Sequence, residues 1–380
     1  MENSICALCG GCFYRTLGEE KYRKNKAKDF EHTMSLLKNA TPTIDAPIFI
    51  NDSSRRRAEM EFLYSKKELK MGFNQQESHN LINIESCFML DSVLNSFLTP
   101  MRKFLTEFCQ IKTSVKNKKK IETKSITQGS VQFLHSDNGI DILLKIKDEP
   151  SLEHRLLIAD FVNYNQDIIR FSWQINNSLP ETIVAKNFPE LYISGYAIEI
   201  PQGVFLQASK EAEIKMIEKM ISYMGTTTGK IADLFCGLGT FTYPLAKNKL
   251  NEIISVDSSS SSTEGLKKAL NRNQIHNVKV INKNLFKYPL DEAELKDIKA
   301  LVIDPPRAGA HEQCREISKI SGKNRPEKII FVSCNPKTFV YDAQLLIDVG
   351  YTFERVTLID QFVYSKHQEL IALFTYNSVK

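Results

Sequence analysis

Three clusters of residues in this 380-residue chain have types and spacings suited to chemistry. The first is "FVSCNPKTFVYD" (Phe331 to Asp342), where four apolar residues lead to Cys334 and Ser333, Asn335 and Pro336 then break the pattern. A cysteine at the open end of a buried strand is either a small core residue or a nucleophile, because the thiolate attacks carbon centres well and also leaves well. The second is "DLFCGLGTF" (Asp233–Phe241), a glycine-rich turn between a strand and a helix. Asp257 ends the next strand, "IISVD", where a carboxylate accepts both hydroxyls of a ribose. Asn284, past the third strand, is placed for an adenine edge. The third glycine of a dinucleotide fingerprint is absent near Thr242, so the set describes an adenosine-type ligand without a diphosphate, and S-adenosylmethionine fits better than NAD. The third cluster is "CALCGGC", with Cys6, Cys9 and Cys12 within seven residues. Such close spacing favours one compact metal centre, whereas zinc ordinarily takes two separated pairs.

Elements must position these groups. From Gly229 onward, short apolar runs ("KIADLF", "EIISV", "VKVI", "ALVI", "KIIFVS") alternate with helical stretches, and "YTFERVTLI" and "QELIALFTY" follow with no helix between them. This predicts a doubly wound α/β domain with a mostly parallel sheet and an antiparallel hairpin at its edge. Ligands of such sheets bind at the carboxyl ends of the strands, which is where all three glycine, acidic and cysteine motifs of this region fall. "VIDPPRAG" (Val302–Gly309) ends the fourth strand; its two prolines fix an extended loop that presents carbonyls and Asp304 to a planar ligand. "SSSSS" (Ser258–Ser262) reads as a solvated loop leading into a helix, and Lys210–Met224 as a joining helix. Residues 1–200 are more charged, with "IDILLKI" and "DIIRFSWQI" reading as half-buried antiparallel strands of an α+β region. The boundary is expected near residue 200, giving regions 1–200 and 201–380.

Composition narrows the class. The chain is 42% hydrophobic and 25% charged with a net charge of +5, as in an ordinary soluble protein. It has no run long enough to span a bilayer and no secretion signal at the N-terminus. Eight cysteines in that setting indicate a reducing compartment, so the cytoplasm is expected. Positive charge is concentrated early, in Lys21–Lys28, Arg55–Arg57, Lys66–Lys67 and Lys116–Lys120, which suits a surface that meets phosphates.

Taken together and in order, "DLFCGLGTF", "DPPRAG", "SCNPKT" and "HQEL" resemble the RNA uracil-C5 methyltransferase family. "VFLQAS" (Val204–Ser209) resembles the aromatic–glutamine segment ahead of its catalytic domain, and "SRRRAEMEF" its basic N-terminal segment. The resemblance implies a class I S-adenosylmethionine-dependent methyltransferase domain, with Cys334 as nucleophile and Glu369 as base. It implies Gln207, Phe235, Thr240, Asp257, Asn284 and Asp304 as cofactor or pocket contacts, with the uracil as the alternative contact of Asp304. It further implies a 4Fe-4S cluster on Cys6, Cys9, Cys12 and a late fourth cysteine, for which Cys87 is the best fit. Cys109 competes, but it lies in the apolar "FLTEFCQI". No barrel domain precedes the cysteines, which resembles the branch acting on 23S ribosomal RNA. The expected partner is that RNA, with transfer RNA as the alternative substrate, no membrane and no second subunit.

The sequence departs from the family pattern in the narrower spacing of the first two cysteines. It also has Ser209 in place of Asn, Tyr341 in place of Arg, and Val363–Ser365 in place of Pro-His-Thr. These departures bear on substrate contacts. Three other classes remain for comparison. An amino-group methyltransferase would not need Cys334 with Glu369, a nicotinamide oxidoreductase would need the missing glycine, and a non-catalytic ribosome-assembly protein would be free to lose the nucleophile.

Overall fold

The computed structural model describes residues 9, 11–75, 78–117 and 120–377. The chain divides into two compact units, one of residues 1–16 and 51–191, the other of 17–50 and 192–380. The second unit therefore begins in the N-terminal part of the chain, with residues 17–50, which a single boundary near residue 200 does not separate.

The first unit is built on a seven-stranded sheet, in the order Glu181–Ala185, Ile168–Ile175, Gly139–Ile146, Gln128–Ser136, Arg57–Ser65, Glu68–Asn74 and Leu81–Asn83. Helices Ser92–Gln110 and Leu152–Tyr164 belong to the same unit. The longer helix is capped by Asp91, whose Oδ1 accepts the Leu94 amide at 2.8 Å, and it buries Leu94, Leu98, Met101, Leu105 and Phe108 at helical spacing. "IDILLKI" pairs antiparallel with its preceding strand, as expected. "DIIRFSWQI" differs: Ile168–Ile175 runs parallel to Gly139–Ile146 and is buried along most of its length. Helix Leu152–Tyr164 connects the two, and a crossover helix makes strands parallel.

In the second unit the strands are β1 (Thr43–Ile44), β2 (Ile48–Phe49), β3 (Lys230–Leu234), β4 (Glu252–Asp257), β5 (Val278–Asn282), β6 (Ala300–Ile303), β7 (Lys328–Ser333), β8 (Thr352–Asp360) and β9 (Glu369–Thr375). Among the described residues they form one sheet in the order β1-β8-β9-β7-β6-β3-β4-β5, with β2 also on β8. Strands β3 to β7 are mutually parallel, while β9 is antiparallel to both β7 and β8. The β8–β9 hairpin is not the outermost element, because β1 and β2 from the N-terminal segment pair in parallel with β8. The central strands are buried on both faces, which explains their nearly continuous apolar sequences.

Helix α1 (Glu19–Met34) lies in this unit and buries Tyr22, Lys26, Phe30 and Met34, one residue per turn. Its high charge gives the sequence no clear apolar stripe, so the reading of Lys21–Lys28 as part of a surface that meets phosphates fails at Lys26, which is 1% exposed. Asp45 holds the same segment to the sheet: it accepts from the Arg355 guanidinium at 2.5 Å, Tyr223 at 3.0 Å and Thr357 at 3.1 Å. Helix α2 (Lys210–Met224) is capped by Ser209, which accepts the Ala212 amide. Helix α3 (Ser260–Arg272) begins inside the serine run: Ser259 caps it, and Ser260–Ser262 are helical, not loop. No described helix is long and apolar enough to cross a membrane.

Candidate active site

The chain passes from β3 to β4 and β5 on one side, then returns to β6 and β7 on the other. This leaves a switch point at the carboxyl ends of β3 and β6, where α/β sheets bind ligands. The turn after β3 has left-handed backbone at Phe235 (φ 61°), Gly237 (φ 54°) and Gly239 (φ 96°). At Gly239 a Cβ would come within 2.8 Å of Leu266, so glycine there permits close packing on α3. At Gly237 a Cβ would meet nothing within 4 Å, so the backbone there is open to a ligand. Asp257, at the end of β4, accepts the Gly237 amide at 3.0 Å and the Ser259 amide at 2.7 Å, tying the first two turns together. Asn284, just past β5, closes a local turn by accepting the Phe286 and Lys287 amides through its side-chain oxygen. The rings of Phe235 and Phe286 lie 5.5 Å apart, and Thr240 is half-buried in the glycine turn.

One residue here escaped the sequence reading. Asp233 is fully buried and accepts from Thr242 Oγ1 at 2.5 Å, but its Oδ1 has no partner. Burial first, then the charges of Asp304 and Asp257, push its pKa up to about 7 against the Thr242 hydrogen bond. An orphaned oxygen among three carboxylates suits a cationic, donor-bearing ligand. S-adenosylmethionine, with its sulfonium and ammonium charges, meets that requirement. The signal in the sequence was the position of Asp233 at a strand end directly before the glycine turn.

A second group assembles at the ends of β7 and β9. Their register pairs Ser333 with Leu370, so Cys334, just past the end of β7, and Glu369, at the start of β9, come to the same edge. Helix α4 (Pro336–Asp348) follows Cys334, with Asn335 as its cap and Pro336 at its first position. Asn335 also donates to the Arg307 carbonyl at 2.9 Å, joining this turn to the "DPPRAG" loop after β6. Cys334 is half-buried. Its thiol is pushed up to about 11 by burial and by the charges of Glu369 and Asp304, with Arg307 opposing. Glu369 is 3% exposed and is pushed up to about 8 by burial and by Asp304, against a hydrogen bond from Gln361 and the charge of Arg307. Asp304 is half-buried and is itself raised to about 7 by burial. It acts on Asp233 on one side and on Cys334 and Glu369 on the other, so it stands between the two groups.

Gln361 is the other residue that sequence reasoning missed. Its Nε2 donates to Glu369 Oε2 at 2.6 Å and to Gln207 Oε1 at 3.2 Å, while its buried Oε1 has no partner. Gln207 and Glu369 are thereby joined through Gln361. Arg307 contacts the ring of His367 at 2.6 Å at the exposed side of the same edge.

Cys9, Cys12 and Cys87 lie in the first unit. Cys6 is outside the described residues. Cys9 forms an isolated bridge with Gln75, and Cys9 and Cys87 are close enough that the charge of one raises the thiol of the other, after burial. Cys12 is half-buried. Among the described residues no group of three or more side chains is arranged to hold a metal ion. Cys109 is 1% exposed in the core of its helix, with burial raising it to about 12, as befits a packing residue.

A mostly parallel sheet in this strand order, with a glycine turn and an acidic strand end at its switch point, defines a class I S-adenosylmethionine-dependent methyltransferase. The family model described as tRNA (Uracil-5-)-methyltransferase matches residues 193–376. An RNA methyltransferase of Agrobacterium fabrum is 32% identical over 97% of this chain and 82% of its own length. The 23S rRNA (uracil(1939)-C(5))-methyltransferase RlmD of Histophilus somni is 26% identical over 97% of this chain and 80% of its own. The crystal structure of Pyrococcus abyssi tRNA (uracil-54, C5)-methyltransferase with S-adenosyl-L-homocysteine shares the fold, with a TM-score of 0.73 at 20% identity over 97% of this chain and 86% of that one. The chain belongs to the RNA uracil-C5 methyltransferase family.

Proposed function

We propose that the protein methylates carbon 5 of one uridine in 23S ribosomal RNA, with Cys334 as nucleophile and Glu369 as base. The observation that carries the assignment of roles is the register of β7 on β9, which brings a half-buried thiol and a buried carboxylate to one edge beside Asp304. Cys334, once its thiol proton has been lost to solvent, attacks carbon 6 of the uracil as a thiolate, and the electrons of the C5–C6 double bond move to an enolate that makes carbon 5 nucleophilic. S-adenosylmethionine supplies the methyl group that carbon 5 takes up. Glu369 then removes the hydrogen from carbon 5 as a proton, the double bond reforms and the sulfur leaves as thiolate. Gln361 donates to the carboxylate oxygen that faces it, and burial, with Asp304 adding to it, keeps the proton affinity of Glu369 high. The similarity to RlmD along nearly the whole chain favours ribosomal RNA. Nucleoside mass spectrometry of both RNA pools from a deletion strain tests this: one 5-methyluridine should vanish from 23S ribosomal RNA. Its loss from transfer RNA alone would move the substrate there.

Asp257, Asn284, Phe235, Thr240 and Gln207 are proposed to hold the cofactor, with Asp257 taking the ribose hydroxyls. Asp257→Ala should weaken S-adenosylmethionine binding by about 1–3 kcal/mol, the cost of leaving hydroxyls unpaired. Calorimetry giving the wild-type affinity would remove Asp257 from the site.

The closeness of Cys9 and Cys87 supports a 4Fe-4S cluster held by Cys6, Cys9, Cys12 and Cys87 in the RNA-binding unit. The cluster would supply a covalent tie between chain segments distant in sequence. Protein purified without oxygen should carry about four irons per chain, and Cys87→Ser should lose most of them. Stoichiometric zinc without iron would replace this assignment.

A further inference from the structure

The catalytic unit contains a buried lysine that the reaction above does not use. Lys26 is 1% exposed on α1, and its ammonium donates to Asp360, to the Ser365 carbonyl at 2.9 Å and to the Phe362 carbonyl at 3.3 Å. Three acceptors match the three donors of a lysine. One turn earlier the Tyr22 hydroxyl donates to the same Asp360, and the Tyr22 ring lies 4.7 Å from that of Tyr364. The side chain of Gln368 reaches back to the Lys26 carbonyl at 3.5 Å. Helix α1 thus holds the loop Gln361–Gln368 at Phe362, Tyr364, Ser365 and Gln368. That loop joins β8 to β9. One of its ends is Gln361, and Glu369 follows the other, and these two residues are bonded to each other at 2.6 Å.

We propose that Lys26 is a positioning residue for Glu369, acting through the Gln361–Gln368 loop. Attachment of the helix does not require it. Phe30, Met34 and Leu37 already sit in the core of the sheet, and Asp45 ties the following segment to β8. A buried charge is costly to desolvate, and an apolar side chain of similar volume commonly does as well for stability alone. What Lys26 adds is a fixed path for a loop with little regular structure. Proton transfer to a carboxylate is sensitive to placement, and a shift of about 1 Å costs on the order of 100-fold in rate.

The inference rests on Glu369 being the base, and it has a signature of its own. In single-turnover assays with the full-length chain, labelled S-adenosylmethionine and an unmodified 23S ribosomal RNA transcript, Lys26→Met should form the covalent protein–RNA complex at about the wild-type rate. It should resolve that complex about tenfold or more slowly, with cofactor affinity unchanged within about twofold. Tyr22→Phe, which removes one hydroxyl, should slow resolution by about threefold and carries the test alone if Lys26→Met does not fold. Wild-type resolution in both variants overturns the proposal. So does a parallel loss of cofactor binding, adduct formation and resolution with a lowered melting temperature, the pattern of a lysine needed only for folding. Glu369→Gln is run alongside: if it accumulates no adduct, the base assignment fails and this inference with it. If it does accumulate one while Lys26→Met and Tyr22→Phe turn over normally, only the anchor fails.

Discussion

Cys334→Ala is expected to lose methylation by a factor on the order of 10⁴ or more, because no other group at the ends of β7 and β9 can add to carbon 6 and later leave. It should also fail to become attached to RNA. Binding of S-adenosylmethionine should survive, since the glycine turn, Asp233 and Asp257 lie at the ends of β3 and β4 while Cys334 lies past β7. The substitution should disturb the fold little: Cys334 is half-buried, and the turn around it is held by Asn335, Ser333 and Thr338. Transfer of label from S-adenosylmethionine to RNA, measured together with denaturing electrophoresis, checks both halves. Normal methylation by the alanine variant would remove the thiol mechanism and favour an amino-group methyltransferase working through the "DPPRAG" loop.

How far the site could be read in advance depended on whether a local rule fixed each part. The glycine turn was legible because left-handed backbone at Gly237 and Gly239 demands glycine. The central strands were legible because burial on both faces leaves little choice but apolar residues. Pairing direction was not: Ile168–Ile175 has the composition of an antiparallel strand, and only the crossover helix decides otherwise. Helix α1 was hidden for a related reason. Its buried stripe runs through Tyr22 and Lys26, and a lysine counts as solvent until its partners, Asp360 and the loop carbonyls, are brought to it from the far end of the chain. Gln361 was missed because a single amide between Asp360 and Phe362 has no motif of its own. Its role comes from two contacts, Gln207 and Glu369, that exist only once β8 and β9 have paired.

Glu369→Gln should fail differently from Cys334→Ala, by stopping the reaction after the methyl group has moved. Attack by Cys334 and methyl transfer need no base on carbon 5, but elimination of the sulfur does, since the double bond cannot reform while carbon 5 keeps its hydrogen. The variant is therefore expected to accumulate a covalent protein–RNA complex that survives denaturing electrophoresis and carries the transferred methyl group, with turnover reduced by about 10²–10⁴. Glutamine can accept the hydrogen bond geometry of the site but has no useful proton affinity, so Gln361 keeps a partner at this position. The pH dependence gives the sign of the proton transfer. Burial and Asp304 raise Glu369 to about 8, so below that value the resting carboxyl holds a proton and cannot take another. Resolution of the adduct by the wild-type protein should then quicken as pH rises from about 6 to 8 and level off above it, and the slow resolution by Glu369→Gln should lack this limb. Adduct lifetimes from quenched single-turnover reactions across that range measure it. Normal turnover by Glu369→Gln, with no complex and an unchanged pH profile, would place the base elsewhere, and Asp304, raised to about 7 beside the same thiol, would be the carboxylate to replace next.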